Sequence, residues 1–181
     1  RRIALGEAQA SATRALGQRL ATAQVALEQV EGLRSDLSAD LLGTPVSATA
    51  PTLAGASARA DAAFAAVVSA LNGRHGAESL FTGNATDRAA LAPASDILAA
   101  VRGAVAGAAD SADVVARVDA FFDDAGGGFE TMAYLGDDGA RAQRRIDGDQ
   151  AVTLGPRADD PALRSVMKAL ALAALASDPA L

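Results

Sequence analysis

The sequence predicts a mainly α protein with a small β meander (α+β), arranged as an elongated antiparallel helical rod plus a small α/β outer subdomain. Three observations carry this expectation. Apolar residues recur at spacings of three and four through most of the first eighty positions, which is the period of a helix face. Beyond residues 79–87 that rhythm gives way to short helical stretches, turn dipeptides and strand-like alternation, a switch in period that marks a boundary. Half of the 181 residues are hydrophobic while only 3% are aromatic. The apolar excess is largely alanine, which favours helix and packs closely but buries little area per residue. The expected organisation is a helical hairpin of the rod over 1–79, an outer subdomain with two short helices and the meander over 80–160, and a returning helix over 161–181.

The first helix is expected over 3–42. Leu16, Leu20, Ala23, Leu27, Val30, Arg34, Leu37 and Leu41 form a heptad seam, broken only at Arg34, where neighbouring Leu33 covers the gap by a small rotation. From Leu16 to Leu41 such a helix extends about 37 Å at about 1.5 Å per residue, too long for a compact globule to bury at both ends. The second helix cannot cover the whole stripe, so Leu16 is expected at its uncovered end and Leu37 opposite the second helix. Gly43 and Pro45 stop the first helix. Thr52 is the expected cap of the second, whose face is Leu53, Ala56, Ala60, Phe64, Val67 and Leu71. Asn72-Gly73 weakens its end and Gly76 finishes it.

Residues 84–94 read as a loop. Ser95 then caps a short helix presenting Ile97, Leu98, Val101 and Val105, and Asp110-Ser111 opens another presenting Val114, Val118, Phe121 and Phe122, stopped by Asp123-Asp124 and Gly126-Gly127-Gly128. Three strand-length pieces follow, 129–135, 140–146 and 150–154, separated by turn residues, with Asp147-Gly148 suited to a tight hairpin turn. Asp159-Asp160-Pro161 opens the last helix, with Leu163, Val166, Met167, Leu170, Ala174 and Leu175 on its face and Asp178-Pro179 at its end.

Composition narrows the function classes. A net charge of −6 and a pI near 4.7 repel phosphate backbones, and no basic cluster exceeds that at Arg144-Arg145, so no nucleic-acid partner is expected. No apolar run approaches the roughly 18 residues of a membrane span, so no membrane association is expected either. The chain lacks cysteine, so no disulfide framework and no thiolate metal site is available. Its one histidine, His75, lies at a helix end without a second ligand or base and reads as a structural or solvent-exposed residue. The pairs Asp123-Asp124, Asp137-Asp138, Asp147 with Asp149, and Asp159-Asp160 fall at turns and a helix start, where aspartate serves local hydrogen bonds. None continues into a calcium loop, and Gly126-Gly127-Gly128 lacks the lysine and serine of a phosphate cradle. No catalytic, cofactor-binding or metal-binding residue is therefore nominated, no cofactor is expected, and the chain is read as not an enzyme. It starts at Arg1-Arg2 rather than methionine, so it is expected to be a piece of a longer protein.

Two stretches carry a resemblance. The run LNGRHGAESLFTGNATD over 71–87 resembles the segment of bacterial flagellin-family proteins in which a rod helix gives way to the outer domain, with a leucine, phenylalanine, small residue, glycine motif. YLGDDGARAQRRIDGDQAVTLG over 134–155 and RADDPALRSVMKALALAAL over 157–175 are similar to the hairpin and returning helix of the hook-filament junction (flagellar hook-associated) members of that family, in their short alphaproteobacterial forms. The resemblance implies an exported, extracellular structural subunit joining hook to filament, with no enzyme activity. Its implied partners are neighbouring copies, the hook-side junction protein and flagellin, with an export chaperone acting through a terminus beyond this sequence. It also implies polymerising ends and a further long helix after residue 181, so this piece is expected to stay monomeric or weakly dimeric. The alternatives are a flagellin filament subunit, or a helical extracytoplasmic sensor or adaptor module.

Overall fold

The computed structural model describes residues 2–43, 48–139, 143–147, 150–153 and 155–178. The fold is mostly helical with small antiparallel β ribbons. Helix α1 runs Arg2–Gly43 and α2 Ala50–Leu71; α3 is Ala94–Val105, α4 Ser111–Asp123 and α5 Pro161–Leu175. Strands β1 (Arg74–His75) and β2 (Glu78–Ser79) form one ribbon, and β3 (Gln143–Asp147) and β4 (Gln150–Thr153) the other. The β3–β4 register pairs Gln143 with Thr153 and Asp147 with Gln150, with an irregularity between Arg145 and Asp147. The intervening turn residues 148–149, like Pro45, lie outside the described residues.

The helix interiors follow the expected rhythm because their apolar faces meet partners. Helix α2 is the centre of the packing, with both α1 and α5 laid against it, while α3 and α4 pack on each other and α4 also on α5. One hydrophobic cluster joins Val30 of α1, Phe64, Val67 and Leu71 of α2, Phe81, Ile97, Val101, Phe122, Phe129, Met167 and Leu170. The stretch at Leu80, Phe81 and Thr82, where the helical period gives way, is buried core.

The seam of α1 is rotated from its expected setting. Leu20 is 38% exposed, whereas Arg19 is 4% exposed, and its guanidinium donates to Glu78 Oε2 (2.8 Å) and to the carbonyl of Ser79 (2.9 Å). A strict heptad stripe drifts by about 20° per repeat on a straight helix, so it does not stay in line with one partner along the whole of α1. The packed face therefore passes through Leu16, Arg19, Ala23, Ala26, Leu27, Val30, Leu33 and Leu37. Arg34 stays outside, paired with Glu31, and Leu33 packs in its place, as expected. Leu16 is not at an uncovered end: it is 5% exposed. Strand β3 also lies against α1, a contact that a two-helix picture leaves out.

Caps differ in detail. Helix α2 starts at Ala50 with Thr49 at the cap position and no side-chain cap; Thr52 sits in its first turn, with its hydroxyl 3.0 Å from that of Thr49. Helix α3 is preceded by Pro93, so Ser95 lies inside it and donates to Asp96 instead. Asp110 caps α4 as expected, accepting from the Asp113 N–H at 2.9 Å. Asp160 occupies the cap position of α5 but accepts from the backbone N–H of Arg157. Helix α2 ends at Leu71 with Asn72 as its C-cap, and Gly76 (φ +60°) serves the β1–β2 turn.

The three-stranded meander is corrected to a two-stranded hairpin. Its expected first piece is a π-helical turn, Phe129–Ala133, closed by Tyr134 N–H donating to the carbonyl of Phe129. Burial overrides the strand reading here. Phe129 is fully buried with its ring 5.6 Å from that of Phe122, which lies 5.2 Å edge-on from Phe121. Gly128 lets the backbone pass so close to the Phe121 ring that a Cβ would collide with it. Only Tyr134 keeps a β-type contact, a single bridge to Leu91.

Candidate functional site

The feature of the described surface that most resembles a binding site is an apolar groove of about 400 Å³ along α2. Helices α1 and α5 both pack on α2, and neither packs extensively on the other. The gap between them exposes a strip of α2. Its floor is Leu53, Ala56, Ala60, Ala63 and Ala66; one wall is Leu33 and Leu37 of α1, and the other is Leu170 and Ala173 of α5. Beyond Leu53 the floor is Ala56, Ala60, Ala63 and Ala66, spaced by three and four and presenting only methyls, so another helix backbone can approach closely there. On the rim, Arg59 Nε donates to Asp40 Oδ2 at 2.8 Å, and Asp36 is exposed. The surface suits an apolar helix face, and its charged lining residues are Asp36, Asp40 and Arg59.

The chemically active residues weighed from sequence are dispersed. His75 is half-buried in the β1–β2 ribbon with Nδ1 3.3 Å from the Thr22 hydroxyl. Asp123 and Asp119 both pair with Lys168, and Asp124 is the C-cap of α4. Asp159 holds Arg157 by two bonds of 2.8 and 2.9 Å. Asp147 is on β3, whereas Asp149 is outside the described residues. Gly126-Gly127-Gly128 leads into the π-helical turn. Among the described residues no group of three or more His, Asp or Glu side chains is placed to hold a metal, and no helix is long and apolar enough to cross a membrane.

A polar knot that the sequence pattern did not single out ties the core loop to the later segment. Arg157 donates to the carbonyls of Asp137 (3.1 Å) and Gly139 (2.7 Å), and Tyr134 Oη donates to the same Asp137 carbonyl at 3.1 Å. Gly83 (φ +68°) passes between Arg157 and Asp137, where a Cβ would meet both within 3.3 Å. The Asp137 carboxylate accepts from Gly139 N–H and Asn84 Nδ2, and these bonds, Gly139 first, hold its pKa below the usual carboxylate value. Burial pushes the Tyr134 phenol upward, with Asp159 adding to the shift. Because the folded state favours the Asp137 anion, its contribution to stability is present above the ordinary carboxylate pKa of about 4 and is lost as pH falls from there through the lower folded-state value. Asp137→Asn is expected to flatten the acid side of a stability-versus-pH curve, read by thermal melts from neutral pH downward. An unchanged acid limb would show that the knot contributes nothing through this charge.

Comparisons with protein-family models, curated proteins and solved structures found no match to this chain.

Proposed function

We propose that this chain is part of a structural subunit of the bacterial flagellum, joining hook to filament through subunit packing rather than catalysis. In this reading α1 and α2 are the hairpin of an elongated rod, residues 80–160 form an outer subdomain seated on the end of α2, and α5 returns along it. The subunit is extracellular, and its partners are neighbouring copies, the hook-side junction protein and flagellin. The sequence resemblance over 71–87 and 134–175 motivates the reading. The observation that carries it furthest is the open groove beside α2, lined by Ala56, Ala60, Ala63, Leu37 and Leu170. Three helices that leave such a strip uncovered make an incomplete four-helix arrangement, which a further rod helix of the intact subunit completes.

Deletion of the gene, followed by electron microscopy of hooks and assay of secreted flagellin, tests the assignment. The expected result is hooks without filaments while flagellin is exported into the medium. Loss of flagellin itself would favour a filament subunit, and intact motile filaments would leave a sensor or adaptor role instead. For the groove, Ala63→Arg in the intact protein is expected to complement the deletion poorly while this chain alone keeps its fold, since Ala63 is only half-buried here. Full complementation by Ala63→Arg would remove the groove from the assembly.

A further inference from the structure

Asn72-Gly73 is the sequence in which asparagine deamidates most readily, because glycine leaves the following backbone nitrogen unshielded. In the folded chain that chemistry is blocked at both reacting atoms. Asn72 Oδ1 accepts from the Leu91 N–H at 2.8 Å, and its Nδ2 donates to the Leu91 carbonyl at 3.1 Å, so the amide pairs with the backbone of a residue only 1% exposed. The attacking group is also held, since the Gly73 N–H donates to the Ala70 carbonyl at 3.0 Å. Asn72 has ψ 8°, and closing a five-membered ring onto its own side chain requires rotation away from that value. Breaking the Leu91 pair, releasing Gly73 and turning ψ must coincide, which amounts to detaching the end of α2 from the 90–92 segment.

We propose that Asn72 is a fold-gated deamidation site that records unfolding of this region and makes it one-way. When the latch opens, the Gly73 nitrogen bonds to Asn72 Cγ, the Cγ–Nδ2 bond breaks, and ammonia leaves with the former N–H proton. Water then opens the resulting succinimide at either carbonyl, to aspartate or iso-aspartate. Neither product restores the latch. A carboxylate has no N–H for the Leu91 carbonyl and sets two acceptors face to face in a buried place, and iso-aspartate adds a methylene to the main chain at the C-cap. An opening that is reversible with the amide intact thereby becomes irreversible.

The test is peptide mapping by mass spectrometry of the chain incubated in mildly alkaline buffer, with and without urea, resolving aspartate from iso-aspartate. Asn84, the other asparagine of the sequence, is followed by alanine and serves as the slow internal reference. Deamidation at position 72 is expected roughly tenfold or more faster in urea than in the native protein, with the iso-aspartate form depleted from material that refolds. Asn72→Gln, whose ring closure is slower, is expected to show no such product in urea. Equal rates with and without urea would overturn the gating, and a position-72 rate in urea no faster than that at Asn84 would overturn the site. Full refolding of the deamidated chain with an unchanged melting temperature would overturn the one-way step.

Discussion

Leu16→Asp is expected to destabilise the protein by roughly 3 kcal/mol, because it removes a buried apolar side chain and puts a second carboxylate beside an ion pair already formed. The sequence pattern alone puts this residue at the uncovered end of the α1 stripe, where the change would cost little. In the folded chain the side chain is 5% exposed and lies one helical turn before Arg19, itself buried and bound to Glu78 and Ser79. An aspartate there loses the apolar contact and competes with Glu78 for the guanidinium. Leu37→Asp is expected to cost less, because Leu37 is half-buried and lines the open groove, where water reaches the new carboxylate. Thermal and urea melts of the two variants decide it. A larger loss for Leu37→Asp would mean that the cover over Leu16 is not maintained in solution.

Phe129→Ala is expected to cost about 3–5 kcal/mol, the range for deleting a buried aromatic side chain. Phe129 is fully buried, packs against Phe122, and carries the Arg164 guanidinium 5.9 Å above its ring. Arg164 also donates to the carbonyl of Phe122, so the ring links the π-helical turn, α4 and α5 at one point. Removing it leaves a cavity and takes one face from a partly buried cation. Were 129–135 a strand of the expected meander with Phe129 half-exposed, the same change would cost about 1 kcal/mol, the span of strand preference. Urea melts separate the two: a loss near the smaller figure would show that the turn is not part of the cooperative core.

The helices were legible because each needs only a local rhythm and a stop signal. Leu53, Ala56, Ala60, Phe64, Val67 and Leu71 lie on the inward side of α2, Asp110 caps α4, and Pro161 opens α5. The β3–β4 hairpin was legible for the same reason, from alternation across a turn dipeptide. The groove was only partly foreshadowed. Alanine spacing on α2 indicated close approach, but which helix approaches, and where a gap is left, depends on where α5 settles after ninety residues of intervening chain.

What the sequence by itself determined is therefore the helical class, the order of the five helices and of the β3–β4 hairpin among them, and the absence of a thiolate site, since these follow from composition and from contacts within a few residues. Only the tertiary structure decided the setting of α1, the π-helical turn and the two polar anchors. Arg19 is sixty residues from Ser79 and Arg157 twenty from Asp137, and no local pattern announces that a charged side chain will find its acceptors at that distance. Phe129 shows the same limit. Its segment is of strand length between turn residues, yet the area gained by packing its ring on Phe122 outweighs a β preference worth about 1 kcal/mol. Local propensity proposes a conformation for each segment, and the larger free energy of burying aromatic surface and pairing buried charge selects among them.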